Sequence, residues 1–291
     1  MNSALQHTIS QYLCMYTKHY YPFQVIPVRG GSINDAYGIQ YGKDRFFCKI
    51  NDRDTLPDLF RKEAKGLEYI SMTKKIRVPA IIDVLYTETH QIFLMEWIDT
   101  TTPTGLSWEK LALQLAGLHN CTFPNFGWFE DNYMGNMEQR NQQMSTWSNF
   151  FIECRLVPQM KIGYDQDLLE KKDLLGLQRL FNRLPDIYPH TQPQLVHGDL
   201  WHGNILFDLK GDPVLIDPAI HYGHAAADLG LTQLFGGVDS RFYDVYTSEA
   251  DVAPNYREQW EIANLYPLLM HLNLFGKSYY SGIADTIHSF V

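Results

Sequence analysis

Apolar positions at helical spacing open the chain: Leu5, Ile9, Tyr12, Leu13 and Tyr16 predict a leading amphipathic helix, with Ser3 available as a cap. From Val25 the period changes to that of strands. Val25 to Val28, a turn-rich stretch over Arg29-Gly30-Gly31-Ser32-Ile33-Asn34-Asp35, Ala36 to Tyr41, a turn at Gly42-Lys43-Asp44 and Arg45 to Ile50 predict an antiparallel meander. Leu59, Phe60, Ala64, Leu67 and Ile70 form an apolar stripe that makes Leu56 to Met72 a helix. Two further strands are expected over Ala80 to Thr87 and Gln91 to Ile98, and the Thr-, Pro- and Gly-rich segment from Asp99 to Ser107 reads as a linker.

Beyond the linker the pattern is mainly helical. Helices are expected over Trp108 to His119, Met144 to Leu156 and Leu168 to Leu184, the last ended by Pro185, and again through the last seventy residues. Two short apolar runs, Ile205-Leu206-Phe207 and Val214-Leu215-Ile216, flank a turn at Lys210-Gly211-Asp212-Pro213. The reading is therefore α+β in two lobes. Residues 1–98 are expected to form an N-lobe with a five-stranded antiparallel sheet and one main helix, and residues 99–291 a mostly helical C-lobe.

With 291 residues, of which 45% are hydrophobic, the chain can bury a large core. Its 24 Lys and Arg against 33 Asp and Glu give a net charge of −9, and no basic run tracks a nucleic-acid backbone. Cys14, Cys48, Cys121 and Cys154 are scattered without a CxxC pair, no apolar stretch approaches a membrane span, and no signal segment opens the chain, so a cytoplasmic protein is expected.

The candidate chemistry lies in Val196-His197-Gly198-Asp199-Leu200-Trp201-His202-Gly203-Asn204, followed by Val214-Leu215-Ile216-Asp217-Pro218. Phosphoryl transfer needs a carboxylate to orient the attacking hydroxyl and oxygen ligands for the Mg²⁺ that shields the phosphates. Asp199 followed five positions later by Asn204, then Asp217 at a strand end, reproduces the catalytic loop and metal-binding arrangement of kinases. Upstream, Lys49 on the third strand and Glu63 on the next helix stand where a phosphate-contacting cation and its carboxylate partner belong. Either residue alone would read as an ordinary surface charge; their order along the chain carries the weight.

Other constellations fare worse. The turn at Gly30-Gly31-Ser32 lacks a full glycine pattern, although small residues there let backbone N–H groups approach phosphate. Gly38 to Lys43 misses the Walker spacing, no G-x-S-x-G occurs, and His197, His202, His221 and His224 form neither HExxH nor a Cys/His knuckle. The aromatics Phe123, Phe126, Trp128, Phe129 and Tyr133 read as lobe packing. Trp201, two residues after Asp199, is placed to wall an acceptor pocket.

Taken together, His197-Gly198-Asp199-Leu200-Trp201-x-Gly203-Asn204, Ile216-Asp217-Pro218-Ala219, Tyr222-Gly223-His224, Asp228-Leu229 and Leu234-Phe235-Gly236-Gly237 resemble the fructosamine (ketoamine) kinase family. The resemblance extends upstream through Gly30-Gly31-Ser32-Ile33-Asn34, Phe46-Phe47-x-Lys49, Phe60-x-x-Glu63-Ala64, Leu115-Ala116-x-Leu118-His119, Phe126-Gly127-Trp128, Trp147-x-x-Phe150-Phe151 and Arg155-Leu156. It implies a protein-kinase-like fold and ATP-dependent phosphorylation of the 3-hydroxyl of ketoamines, which destabilises the adduct and aids deglycation. By the same resemblance Asp199 is the catalytic base, Asn204 and Asp217 are Mg²⁺ ligands, and Lys49 with Glu63 contacts the phosphates. The backbone of Met95-Glu96-Trp97-Ile98 would bind adenine. The family pattern expects a small Ser where His202 stands, and His221 is a second departure; both bear on acceptor choice, with Trp201 and His202 expected to contact substrate.

Only about ten residues separate Asp217 from the next helix near Ala227, too few for a peptide-docking activation segment, so a small acceptor is expected. The competing readings are a kinase for another small alcohol or amine, such as an aminoglycoside or choline, and a nucleotide-binding module without turnover. The oligomeric state is left open.

Overall fold

The computed structural model describes residues 1–28, 34–189 and 191–291. Gly30, Gly31 and Ser32 lie outside the described residues. The chain begins with α1 (Ser3–Thr17), capped by Asn2 rather than by Ser3: the Asn2 side chain accepts the Leu5 N–H at 2.9 Å, while Ser3 is already the first helical residue. Next come β1 (Phe23–Pro27), β2 (Asp35–Tyr41), β3 (Asp44–Asp52), α2 (Leu59–Thr73), β4 (Ile81–Tyr86) and β5 (His90–Glu96). The strands form one antiparallel sheet in the order β1-β2-β3-β5-β4.

Strand alternation decides what each face of this sheet does. Phe46, Cys48 and Ile50 of β3, with Ile92 and Leu94 of β5, turn to α1 and pack on its buried Leu5, Ile9 and Leu13. The opposite parity, with Phe93 and Met95, joins the core that α2 shares with the second lobe. Lys49 has that second parity, so the pleat alone directs it toward α2.

The second lobe runs through α3 (Gly105–His119), the hairpin β6 (Asn132–Met134) and β7 (Met137–Gln139), α4 (Trp147–Phe151) and α5 (Val157–Asp165). It continues with α6 (Lys171–Ile187), β8 (Gln194–Val196), β9 (Ile205–Phe207), β10 (Pro213–Leu215), β11 (His221–Gly223), α7 (Ala226–Leu234), α8 (Ser240–Glu249), α9 (Tyr256–Ala263), α10 (Leu265–Phe275) and α11 (Tyr280–Phe290). The β9–β10 hairpin and the β8–β11 pair set the two loops of interest side by side. The architecture is the protein-kinase-like α+β arrangement expected from the sequence.

Three local expectations are corrected. Pro185 lies within α6 instead of ending it, because in the last turn its ring forfeits a single hydrogen bond while Leu184 and Ile187 remain buried. The helix expected from Met144 starts at Trp147, where Thr146 caps it at Asn149 N, and runs on to Asp165 through a π-helical turn at Ile152–Leu156. Strand β5 stops at Glu96, two residues short of Ile98. Among the described residues no helix is long and apolar enough to cross a membrane.

Candidate active site

The Lys49 ammonium sits 2.8 Å from Glu63 Oε1 and also donates to Asp217 Oδ1, so β3, α2 and the loop after β10 meet at one cation. Lys49 and Glu63 are nearly fully buried, whereas the Asp217 side chain is 38% exposed. Burial would by itself lower the lysine pKa, but Asp217 and Glu63 outweigh it and raise it. Glu63 is pushed up to about 7, by burial first, against the pull of Lys49. Asp217 holds φ at +57°, a left-handed conformation that costs a non-glycine residue about 1–2 kcal/mol. In that conformation its carboxylate accepts from Lys49.

Asp199 follows β8 on a loop anchored from below. Its backbone N–H donates to His197 Nδ1 at 3.3 Å, and His197 Nε2 donates to Ile216 O at 2.9 Å, which ties the Asp199 loop to the residue before Asp217. Burial lowers the pKa of the fully enclosed His197, which suits this neutral, one-donor role. Asn204 Nδ2 donates to Asp199 O at 2.8 Å and to its Oδ2 at 3.1 Å. Burial, then the Asp217 charge, pushes the Asp199 carboxyl up to about 7, with Asn204 pulling the other way. A carboxyl poised near neutrality is suited to accepting a proton from a hydroxyl.

Because Asn204 commits its amide nitrogen to Asp199, its Oδ1 is the atom offered to a cation, alongside the Asp217 carboxylate. Two hard oxygen donors fit Mg²⁺, which takes few protein ligands and fills its shell with phosphate and water. Among the described residues no group of three or more His, Cys, Asp or Glu gathers in a metal-holding arrangement. His221 and His224 are buried, lowered to about 3 chiefly by that burial, and engaged with Ala219 O and Ala226 N respectively.

The strand register sets the remaining candidates. Phe46 pairs with Glu96 and Lys49 with Phe93, so the end of β5 lies three residues, about 10 Å, from the Lys49 position, the reach of a nucleoside between base and phosphates. The Glu96 side chain is spoken for, by Arg77 at 2.5 Å and Ala80 N at 3.0 Å, which leaves backbone groups of Trp97 and Ile98, beyond the last ladder pair, to meet a ligand. The Trp97 ring lies against Gly38, where a Cβ would come within 2.8 Å of it, and beneath Arg45 at 5.4 Å. Trp201 and His202 lie on the other side of Asp199. Their rings meet edge to face at 4.9 Å, and Trp201 also faces Phe235. Gly203 and Gly237 are required there: a Cβ would stand 2.4 Å from the Trp201 ring and 2.8 Å from His202.

One buried group was quoted in the sequence only as part of a motif. Asp228, fully enclosed, accepts from His197 N and Gly198 N at 2.8 Å each and from His119 Nε2 at 3.1 Å, while His119 Nδ1 accepts from Tyr246 OH at 2.6 Å. Burial works to raise the Asp228 pKa, but these donors overcome it and hold the carboxyl ionised. The group holds the Asp199 loop from beneath. Its partners come from two distant segments, and no spacing rule joins them. Of the aromatic stripe, Phe126 and Trp128 are core residues, while Phe129 is 59% exposed.

The sequence profile of the fructosamine kinase family matches residues 4–291. A protein of Enterococcus faecium that carries the name ketoamine kinase is 35% identical over 92% of this chain and 95% of its own. An Arabidopsis thaliana protein named protein-ribulosamine 3-kinase, chloroplastic, is 35% identical over 91% of this chain and 81% of its own. A crystal structure from Thermobifida fusca bearing the name fructosamine-3-kinase superposes with a TM-score of 0.86 at 29% identity, covering 97% of this chain and 98% of that one. A lysine clasped by two carboxylates, beside a second loop that pairs an aspartate with an asparagine, is thus set in a chain that belongs to the fructosamine kinase family, phosphotransferases with a hydroxyl group as acceptor.

Proposed function

We propose that the protein is an ATP-dependent ketoamine 3-kinase. Residues 1–98 would hold the nucleotide, with adenine against the backbone of Met95-Glu96-Trp97-Ile98, Lys49 on the phosphates, and Gly30, Gly31 and Ser32, outside the described residues, as further nucleotide-binding candidates from the sequence. Residues 99–291 would supply the catalytic loop and the acceptor pocket. Asn204 Oδ1 and Asp217 would hold Mg²⁺, which when bound neutralises phosphate charge. The acceptor oxygen attacks the γ-phosphorus, the bond to the ADP oxygen breaks, and the hydroxyl proton passes to Asp199. Trp201 and His202 would flank the sugar. Glu63 keeps Lys49 extended and charged.

The observation that carries this reading is the convergence at one opening of the Lys49–Glu63–Asp217 cluster and the Asp199–Asn204 pair. It supports in-line transfer by positioning and electrostatics. The test is a panel of ribulosamine, erythrulosamine, fructosamine, choline and an aminoglycoside with labelled ATP, products being identified by mass spectrometry. Ketoamine 3-phosphates are expected. Preference for choline or the aminoglycoside would overturn the substrate, and ATP binding without transfer to any acceptor would overturn the enzyme.

A further inference from the structure

Between α3 and α4 the chain makes an excursion whose hairpin, β6–β7, touches both halves of the site without entering it. Its outer edge grips α2. Glu130 pairs with Arg61 at 3.1 Å and Lys65 at 2.6 Å, Tyr133 OH donates to Pro57 O at 3.1 Å, and Lys62 stands 4.6 Å over the Tyr133 ring. Its inner edge is a chain of buried amides. Asn132 Nδ2 donates to Ile220 O at 2.9 Å, and Gln139 Nε2 donates to Ala219 O at 3.0 Å and to Asn132 Oδ1 at 2.9 Å. Asn141 Nδ2 reaches Asn132 Oδ1 at 2.8 Å, and Arg155, turned inward by the π-helical turn, donates to Asn141 Oδ1 at 2.8 Å.

Asn132, Gln139, Asn141 and Arg155 are each at most 5% exposed. Among the described residues no carboxylate is in salt-bridge contact with the guanidinium, which lies 4.5 Å from the Phe150 ring and is lowered to about 10 by burial. Such a network is retained at a cost, since each buried polar group must keep every partner. Ala219 and Ile220 directly follow Asp217-Pro218, and α2 carries Glu63. The two contacts of the hairpin therefore act on the two carboxylates that hold Lys49. Gly66 of α2 also fits against Ile220, with room for no more than 3.0 Å to a Cβ, and Tyr69 OH meets Tyr222 OH at 2.8 Å.

We propose that the β6–β7 hairpin is a built-in positioning device, joining α2 to the backbone after Asp217 so that the Glu63–Lys49–Asp217 cluster assembles without an activating modification or partner. In regulated kinases the helix carrying the glutamate and the metal-binding aspartate must be brought into place separately; here one element fixes both. Asn132, Gln139 and Glu130 are then positioning residues. The inference rests on the kinase reading for its consequence and on geometry for its mechanism.

The test uses the full chain and Asn132→Leu, which keeps the shape but removes the amide. Hydrogen exchange is expected to quicken at least 10-fold in both 59–70 and 217–223, with 280–290 unchanged. Mn²⁺ affinity of the complex with a non-hydrolysable ATP analogue, read by electron paramagnetic resonance, is expected to weaken about 10-fold. The acceptor KM should stay within twofold. Faster exchange confined to the hairpin, or spread evenly over the chain, overturns the proposal. Should Asn132→Leu fail to fold, the surface pair Glu130→Gln with Tyr133→Phe is expected to quicken exchange in 59–70 and 217–223 together, and its failure to do so overturns the proposal equally. Wild-type protein that binds no Mn²⁺-nucleotide would sink the kinase reading, while the exchange coupling would still judge the hairpin.

Discussion

Asp199→Asn should make the protein more stable at alkaline pH while abolishing transfer. In the fold the Asp199 carboxyl lies at about 7, against an ordinary 3.8, because burial and the Asp217 charge disfavour its anion. A raised acid is the reverse of the usual case: the folded state binds the proton more tightly than the unfolded chain between those two values. Stability is therefore lost as pH rises from about 4 to about 7 and stays lost above. A difference of roughly three pH units corresponds to a ceiling of about 4 kcal/mol at 1.36 kcal/mol each. Partial exposure and screening reduce this to about 1–2 kcal/mol.

The asparagine has no anion to desolvate, and its Oδ1 can still accept from Asn204 Nδ2, so the variant should gain that 1–2 kcal/mol above pH 7 and nothing near pH 4. Urea unfolding of both proteins at half-unit steps from pH 4 to 8.5, without divalent cation, measures the difference directly. Adding Mg²⁺ and a non-hydrolysable nucleotide should shrink it, since a cation beside Asp217 removes the repulsion. A pH-independent difference, or a variant less stable than wild type at pH 8, would refute the electrostatic account of this site.

Three further outcomes follow from the same geometry. Lys49→Met keeps the buried stem but strips Glu63 of its cation, so the ATP KM should rise and turnover fall roughly 10²–10³-fold in coupled-assay kinetics. Gly203→Ala places a methyl group where the Trp201 ring now lies, 2.4 Å away, and should raise the acceptor KM about 10-fold while the ATP KM holds steady. Asp228→Asn puts an NH₂ against N–H donors, leaves at least one of His197 N, Gly198 N and His119 without an acceptor, and should cost about 2–4 kcal/mol in urea unfolding, with a parallel fall in kcat.

What could be read from the chain divides along physical lines. Lys49, Glu63, Asp199, Asn204 and Asp217 could be picked out as candidates because phosphoryl transfer calls for those residue types in that order, and the structure brings Lys49, Glu63 and Asp217 into contact and pairs Asn204 with Asp199. The N-lobe strands were legible because their alternation is long enough to count. By contrast, β6, β7, β8 and β11 are three residues each, too short to show a period, and exist because partners elsewhere complete them. The amides Asn132 and Gln139 carry no spacing signature, since they satisfy carbonyls eighty or more residues away. Arg155 was quoted as part of a motif, but its burial depends on a π-helical turn that no 3.6-residue count reveals.

The charge balance of the opening explains why the parts are arranged as they are. Glu63, Asp199 and Asp217 converge on one lysine, and the protein supplies no second cation there among the described contacts. Burial first, with the charge of Asp217 adding to it, holds Glu63 and Asp199 near 7. Asp217 adds backbone strain to electrostatic strain. Both costs are sustained by rigid surroundings: Asp228 beneath one loop and the amide chain beneath the other. Under the proposed reading Asp217 and Asn204 would hold the divalent cation that accompanies the nucleotide, and its charge would offset the repulsion among the carboxylates. The site is thus short of positive charge, which disfavours a bare nucleotide, and under the proposed reading a divalent cation would supply the missing charge.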